Sequence, residues 1–277
     1  GYGWRTNLHQ TLSLTVTDGK SEYVYTDGDG TRHHFLANQS GVVEDQSGLG
    51  LKLTFNTADG TAIITDKGDD TLTFVNPADG STEMLQTIAD AVGNTARLTW
   101  DSGLLTKAED GSGRETIFTY QNGLLSSVTA PYGTISFEYT SGDLTGITYE
   151  DGLSSTFTYT GNHLLATATN PGGIYVSYTY SSTGALYGLP ACVTRAVVAG
   201  GSGSAARTQS DVTYAYGPHI TRVTDYFSQK TLRYHFNDNG NCISADDELG
   251  YGVYTRYDQT GDNADAPINH ATLRSRM

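Results

Sequence analysis

Between Phe118 and Gly172 the chain says nearly the same thing three times: FTYQNGLLSSVTAPYG, FEYTSGDLTGITYEDG and FTYTGNHLLATATNPG. Before each turn apolar and polar side chains alternate, as in Ile135, Phe137 and Tyr139 against Ser136 and Glu138. A period of two predicts a strand with one buried face. A short polar turn follows, such as Gln121-Asn122-Gly123 or Ser141-Gly142-Asp143, where Gly or Asn supplies positive φ. A second short strand carries a Leu, and a Gly-containing turn closes the unit at Asp110-Gly111, Tyr132-Gly133, Asp151-Gly152 and Pro171-Gly172. One hairpin cannot bury its own face, so these units must stack on their neighbours.

Two markers keep one period. The last aromatics of successive strands, Trp100, Tyr120, Tyr139, Tyr159 and Tyr180, are spaced 20, 19, 20 and 21. The leucines after the turns, Leu85, Leu105, Leu125, Leu144 and Leu165, are spaced 20, 20, 19 and 21. Three residues after each comes a small or branched apolar residue: Ile88, Ala108, Val128, Ile147 and Ala168. Agreement between independent markers makes this a tandem repeat. It resumes at Tyr216, Phe236 and Tyr257, with Ile220/Val223 and Cys242/Ala245 in the Leu-and-partner slots. The gap of 36 from Tyr180 to Tyr216 predicts a flexible insertion at AGGSGSAA, Ala199 to Ala206. The expected organisation is a single all-β domain over 1–277. It divides into irregular lead-in strands over 1–84, regular repeats over 85–190, a repeat with the Gly/Ser insertion over 191–215, further repeats over 216–260 and an irregular tail over 261–277. That tail, Gly261 to Met277, shows no alternation, and is expected to run as an extended segment over the sheet edge or to pair with a partner chain.

Composition agrees with strands: 33 Gly and 19 Tyr in 277 residues. No run of 18 or more apolar residues spans a membrane, and no signal peptide opens the chain, as expected of a piece exported within a longer precursor. Thirty acids against 16 bases give a net charge of −14, which disfavours nucleic acid as a partner. The two cysteines, Cys192 and Cys242, are too few for a disulfide scaffold and do not form a CxxC pair.

The unit, aromatic-turn-Leu-x-x-Ile-x-Asp-x-x-Gly, resembles the YD repeat of Rhs proteins. Residues 241–250, NCISADDELG, and 86–94, QTIADAVGN, resemble that family's second half-unit, and GYGWRTNLHQ and YVYTDGDGTRHHF resemble the region leading into the array. The resemblance covers about residues 1–260. It implies tandem β-hairpin repeats in a continuous curved antiparallel sheet, a segment of a hollow shell around a cargo that is often a C-terminal toxin. The family's aspartyl self-cleavage motif is not found, so the chain is expected to be an N-terminal or interior portion of the array. The implied role is a non-enzymatic scaffold, secreted or at a bacterial cell surface, whose partner is the rest of its own polypeptide. The rival role is a carbohydrate-binding or adhesive module for cell-surface glycans, with outward tyrosines such as Tyr175 as stacking platforms.

Candidate chemistry reads as structure. Asp27-Gly28-Asp29-Gly30 opens like a calcium loop, but the twelfth place is Asn38 and the central Gly is misplaced, which favours a hairpin turn. His33 and His34, adjacent on a strand, face opposite sides and cannot share a metal. Glu109-Asp110, Glu150-Asp151 and Asp246-Asp247-Glu248 pair carboxylates as a glycoside hydrolase would, yet fall in equivalent turn slots of the repeat. Cys242 fills a Leu slot, as a buried small hydrophobe would. Gly201-Ser202-Gly203 lacks the helix and acid of a nucleotide fingerprint, and Asn38-Gln39-Ser40 is a bare glycosylation sequon. No catalytic, cofactor-binding or metal-ligating residue is therefore assigned, and no cofactor is expected.

Overall fold

The structure, a computed structural model, describes residues 4–37, 43–45, 49–181, 191–200, 207–237, 242–257 and 271–276. Among them the chain forms strands and turns only, in one antiparallel sheet. Two compact units are present. The first runs from Gly3 to Ser136; the second runs from Phe137 to Thr260 and includes Ala271–Met277.

The first unit holds β1 (Thr11–Thr17), β2 (Lys20–Thr26), β3 (Arg32–Ala37), β4 (Val43–Asp45), β5 (Lys52–Asn56), β6 (Thr61–Thr65), β7 (Thr71–Val75) and β8 (Thr82–Ala89). It continues with β9 (Thr95–Asp101), β10 (Leu104–Glu109), β11 (Glu115–Gln121), β12 (Leu124–Ala130) and the start of β13 (Gly133–Thr140). From β1 to β8 each strand pairs with the next. β1 then returns to the first residues of β8, with Thr11 opposite Met84 and Ser13 opposite Thr82. Leu85 N–H donates to the Gln10 carbonyl at 3.0 Å beside this ladder. The first eight strands thus form a closed circuit of pairings, while the sheet itself stays open because β9 to β13 go on adding.

The circuit encloses a core to which every strand contributes: Leu12, Tyr25, Phe35, Val43, Leu53, Ala62, Ile64, Phe74 and Leu85. Leu98, Leu105 and Phe118 extend the same layer into the repeats. Phe35, Phe74, Leu12, Ile64 and Leu85 are fully buried, and each such side chain contributes about 1.5–3 kcal/mol. The irregular spacing before residue 85 therefore belongs to strands whose face is fixed by a common interior.

The second unit completes β13 and adds β14 (Asp143–Thr148), β15 (Ser154–Tyr159), β16 (Leu165–Thr169), β17 (Ile174–Tyr180), β18 (Val193–Gly200) and β19 (Arg207–Gly217). Next come β20 (Ile220–Asp225), β21 (Lys230–Phe236), β22 (Cys242–Asp247), β23 (Gly252–Tyr257) and β24 (Ala271–Arg276). From β14 to β24 each strand pairs antiparallel with the next.

Two expectations are corrected. The insertion is not confined to Ala199–Ala206: Ala199 and Gly200 end β18, where Ala199 is buried and pairs with Thr208. Val193 takes the Leu slot opposite Tyr180. It lies 13 residues after the aromatic instead of 5, and Tyr216 lies 23 residues after Val193 instead of 15. The excess is thus split into two eights, one before β18 and one within the longer β18–β19 hairpin; residues 201–206 themselves lie outside the described part. Composition suggested a flexible linker, but an Ala and a Gly extend a ladder readily when the opposite strand supplies partners. In the tail, Ala271–Arg276 is not irregular: it forms β24 against β23, with Tyr254 opposite Ser275. Its backbone groups are satisfied by the neighbouring strand, which an edge offers to any extended segment without need of hydrophobic alternation. Gly261–His270 lies outside the described residues.

Candidate functional site

The unit that repeats is a hairpin with three locks. First, the marker aromatic stands opposite the Leu slot: Phe74 opposite Leu85, Trp100 opposite Leu105, Tyr120 opposite Leu125, Tyr159 opposite Leu165 and Phe236 opposite Cys242. Second, one extra residue follows the Leu slot as a β-bulge, and its hydroxyl often bonds across the hairpin. Thr106 donates to the Thr99 carbonyl at 3.1 Å, Ser126 to Thr119 at 3.0 Å and Thr194 to Thr179 at 3.2 Å. Third, the aromatic's polar tip reaches back to the Leu-slot carbonyl of the preceding hairpin. Trp100 Nε1–H donates to Leu85 O at 2.7 Å; the hydroxyls of Tyr159, Tyr180 and Tyr216 donate to Leu144, Leu165 and Val193 O, each at 2.8 Å. Burial raises the pKa of Tyr180 and Tyr216, which keeps these phenols neutral donors.

The turns explain the acids. Asp90, Asp110 and Asp247 each open a five-residue turn, and each Oδ1 accepts the backbone N–H groups two and four residues on. The Asn94 side-chain amide and N–H hold the Asp90 carboxyl below the usual range, and the Arg114 N–H and guanidinium do the same for Asp110. Asp27 Oδ1 likewise accepts the N–H groups of Asp29, Gly30 and Thr31, so the Asp27–Gly30 stretch is a turn whose carboxylate is already engaged by its own backbone. Asp29 is held down to about 2, chiefly by the Thr31 hydroxyl. Glu109 bonds Lys107 at 3.3 Å, beside the Lys107–Glu115 pair at 2.8 Å.

Two pairs depart from the expected slot. Tyr149, not Glu150, opens the β14–β15 turn, and Asp151 caps Leu153 N–H from the third position. Asp246 is not in a turn. It is buried on β22, where it accepts from Arg233 Nε at 2.8 Å and from Ser244 Oγ at 3.1 Å, with His235 Nε2 at 3.7 Å. An adjacent run of acids hides which of them alternates inward.

His33 and His34 do face opposite ways. His33 is buried, bonded to Asp27 Oδ2 at 2.8 Å and stacked on Tyr25, whereas His34 is exposed and bonded to Glu22 at 2.8 Å. Cys242 is half-buried in the Leu slot, and burial pushes its thiol up. Tyr175 is half-buried, opposite Thr169 and Ala199. Among the described residues no three His, Cys, Asp or Glu side chains group as a metal site would need. Asn38-Gln39-Ser40 and Gly201-Ser202-Gly203 lie outside them.

Periodicity did not reveal the Arg195–Asp211 pair, bonded at 2.8 Å, in which the exposed Arg195 lowers the pKa of the buried Asp211. Nor did it reveal His163 on Asp143 at 2.9 Å. Each partner falls 16 or 20 residues away, close to one period, which is the signal available. A small groove also opens where Ala96, Ala108, Thr116 and Ala130 line up across β9 to β12, flanked by Arg114, Asp110, Pro131 and Tyr132.

Residues 139–175 match the RHS repeat family. No curated protein matches the chain. Among solved structures, the crystal structure of TcdB2-TccC3-Cdc42 is similar over 93% of this chain and 17% of that one, at 12% identity and a TM-score of 0.31. TcdB2-TccC3-TEV gives 90% and 17%, at 12% identity and 0.24. A porin-like protein from Bacteroides uniformis gives 98% and 95%, at 14% identity and 0.21. The chain thus spans about a sixth of the length of the TcdB2-TccC3 chains. Residues 139–175 thus carry an RHS repeat, and the carbonyl-seeking aromatic found there at Tyr159 recurs before it at Trp100 and after it at Tyr216.

Proposed function

We propose that this chain is a non-enzymatic stretch of the wall of a large secreted or cell-surface bacterial repeat protein, which encloses or displays an effector segment of its own polypeptide. The supporting observation is the bond by which Trp100, Tyr159, Tyr180 and Tyr216 fasten their hairpins to the preceding one, which uses the markers of the repeat for cohesion. The acids that most resemble catalytic pairs serve as turn acceptors or in ion pairs, which supports a scaffold over a hydrolase. The test is limited proteolysis of the longer polypeptide that contains this chain. A non-repeat segment that survives until the repeats are cut supports enclosure; immediate digestion of that segment overturns it. A second reading, a cell-surface glycan as partner, is favoured by one observation, the groove beside Tyr132.

A further inference from the structure

The groove lies on the core face of the first unit, just past the last well-packed layer. Ala108 stands opposite both Leu98 and Thr116, and Ala130 follows two residues after Val128, so the floor continues the row of Leu98, Phe118 and Val128 with side chains too small to fill it. One wall is Pro131-Tyr132, and Tyr132 is 76% exposed. An aromatic ring so open, beside an apolar floor, is a face without a partner. The other wall is polar and held in place. Arg114 donates through Nε to Asp110 at 2.6 Å and through Nη1 to the Tyr132 hydroxyl at 2.7 Å. Asp110 is in turn fixed by the backbone N–H groups of Ser112 and Arg114. The free space is about 200 Å³, below the roughly 300–1,000 Å³ usual for drug-sized ligands, so it holds a single ring.

Resting on the glycan reading, we propose that this groove is a saccharide subsite that seats one neutral pyranose ring against Tyr132. The chemistry selects that class. A flat aromatic face and an alanine floor want an apolar face on the ligand, while the remaining Arg114 N–H groups, the Thr116 hydroxyl and the Asp110 carboxylate want hydroxyls at its edge. An anion meets Asp110 and a net charge of −14; a cation meets Arg114. A purely aromatic ligand leaves the polar wall unmatched, which costs affinity. A pyranose has both an apolar face and a ring of equatorial hydroxyls.

The test is a titration of the full chain with methyl glycosides of glucose, galactose and N-acetylglucosamine, followed by amide NMR shifts. Saturable shifts confined to Ala108–Thr116 and Ala130–Gly133, at a Kd of about millimolar, are expected. Tyr132→Ala should weaken binding about tenfold and Arg114→Gln several-fold, while Tyr132→Phe, which keeps the ring, should bind within about threefold of the native chain. Unchanged spectra elsewhere confirm that the variants fold. Saturable shifts at another surface, indifferent to Tyr132→Ala, overturn this subsite and leave the glycan reading standing. No shift with any glycoside at about 50 mM overturns both.

Discussion

At the scale of single residues, the hydroxyls of Tyr159, Tyr180 and Tyr216 separate two roles that hydrophobicity alone would merge. The ring fills the layer above the Leu slot, and the O–H satisfies a carbonyl that the bulge has taken out of the ladder. Tyr159→Phe or Tyr180→Phe keeps the ring and strands the carbonyl of Leu144 or Leu165. Each should cost about 1–3 kcal/mol in chemical denaturation, less than the 2–5 kcal/mol of Leu144→Ala. Glu150→Gln, by contrast, should change stability by no more than about 0.5 kcal/mol. Equal costs for the tyrosine and glutamate variants would mean that the tyrosine hydroxyls are not locks. Acid titration gives a second handle. Asp29 has a folded pKa lowered to about 2, chiefly through the Thr31 hydroxyl and N–H. A lowered folded pKa stabilises above the unfolded value of about 3.9 and is lost as pH falls through the folded one. Melting temperature should therefore decline between about pH 4 and pH 2 more steeply in the native protein than in Asp29→Asn, and parallel declines would show that Asp29 carries no linkage.

At the scale of elements, the two kinds of turn give the repeat its direction. Tight turns such as Asn122-Gly123, with φ of 51° and 75°, match the primed geometry that suits twisted hairpins. The five-residue aspartate turns at the other ends are held by side-chain acceptors. Both kinds are short-range and were legible in the sequence, down to the choice of Asn, Ser or Asp beside Gly. The bulge was not legible, because the extra residue, Thr106 or Ser126, looks like any polar strand residue and only the pairing shows the slip. The end of the array was misread for a similar reason: ATLRSR lacks an apolar period, and β23 supplies what it lacks. Two arginines in the six residues of this last strand also make it a poor template for another chain. Removing Ala271–Met277 should therefore leave the β signal in circular dichroism nearly unchanged but expose β23, and self-association should rise in sizing experiments. A truncated chain that stays monomeric would show that β23 needs no cover, and one that unfolds would make β24 part of the core.

At the scale of the whole molecule, what the sequence conceals is contact at long separation. A period near twenty residues is written in neighbouring hairpins, so the repeats from Phe74 to Tyr180 could be read directly. The pairing of Thr11 with Met84 joins segments with no shared pattern, and nothing in either one announces the other. That closure has an energetic consequence. In the first unit it lets nine apolar side chains from eight strands share one interior. In the second unit the buried described side chains are those of Leu144, Cys192 and Ala199 together with Asp143, Ser155, Asp211, Ser244 and Asp246, with Gly146 buried beside them. Polar groups thus outnumber apolar ones there, and ion pairs such as Arg195–Asp211, whose arginine is half exposed, are weakened by solvent screening. Cohesion in the second unit rests more on ladder bonds and tyrosine locks, which act between neighbours and permit opening one hairpin at a time. Native-state hydrogen exchange should accordingly find the slowest amides in β5 to β8 and the fastest ladder amides in β20 to β22. Leu85→Ala should lower protection throughout β1 to β11 together, whereas Tyr180→Phe should lower it only in β16 to β18. If Leu85→Ala loosened β8 alone, the closed circuit would not be a cooperative unit, and the first eight strands would have to be regarded as ordinary links of the chain of hairpins.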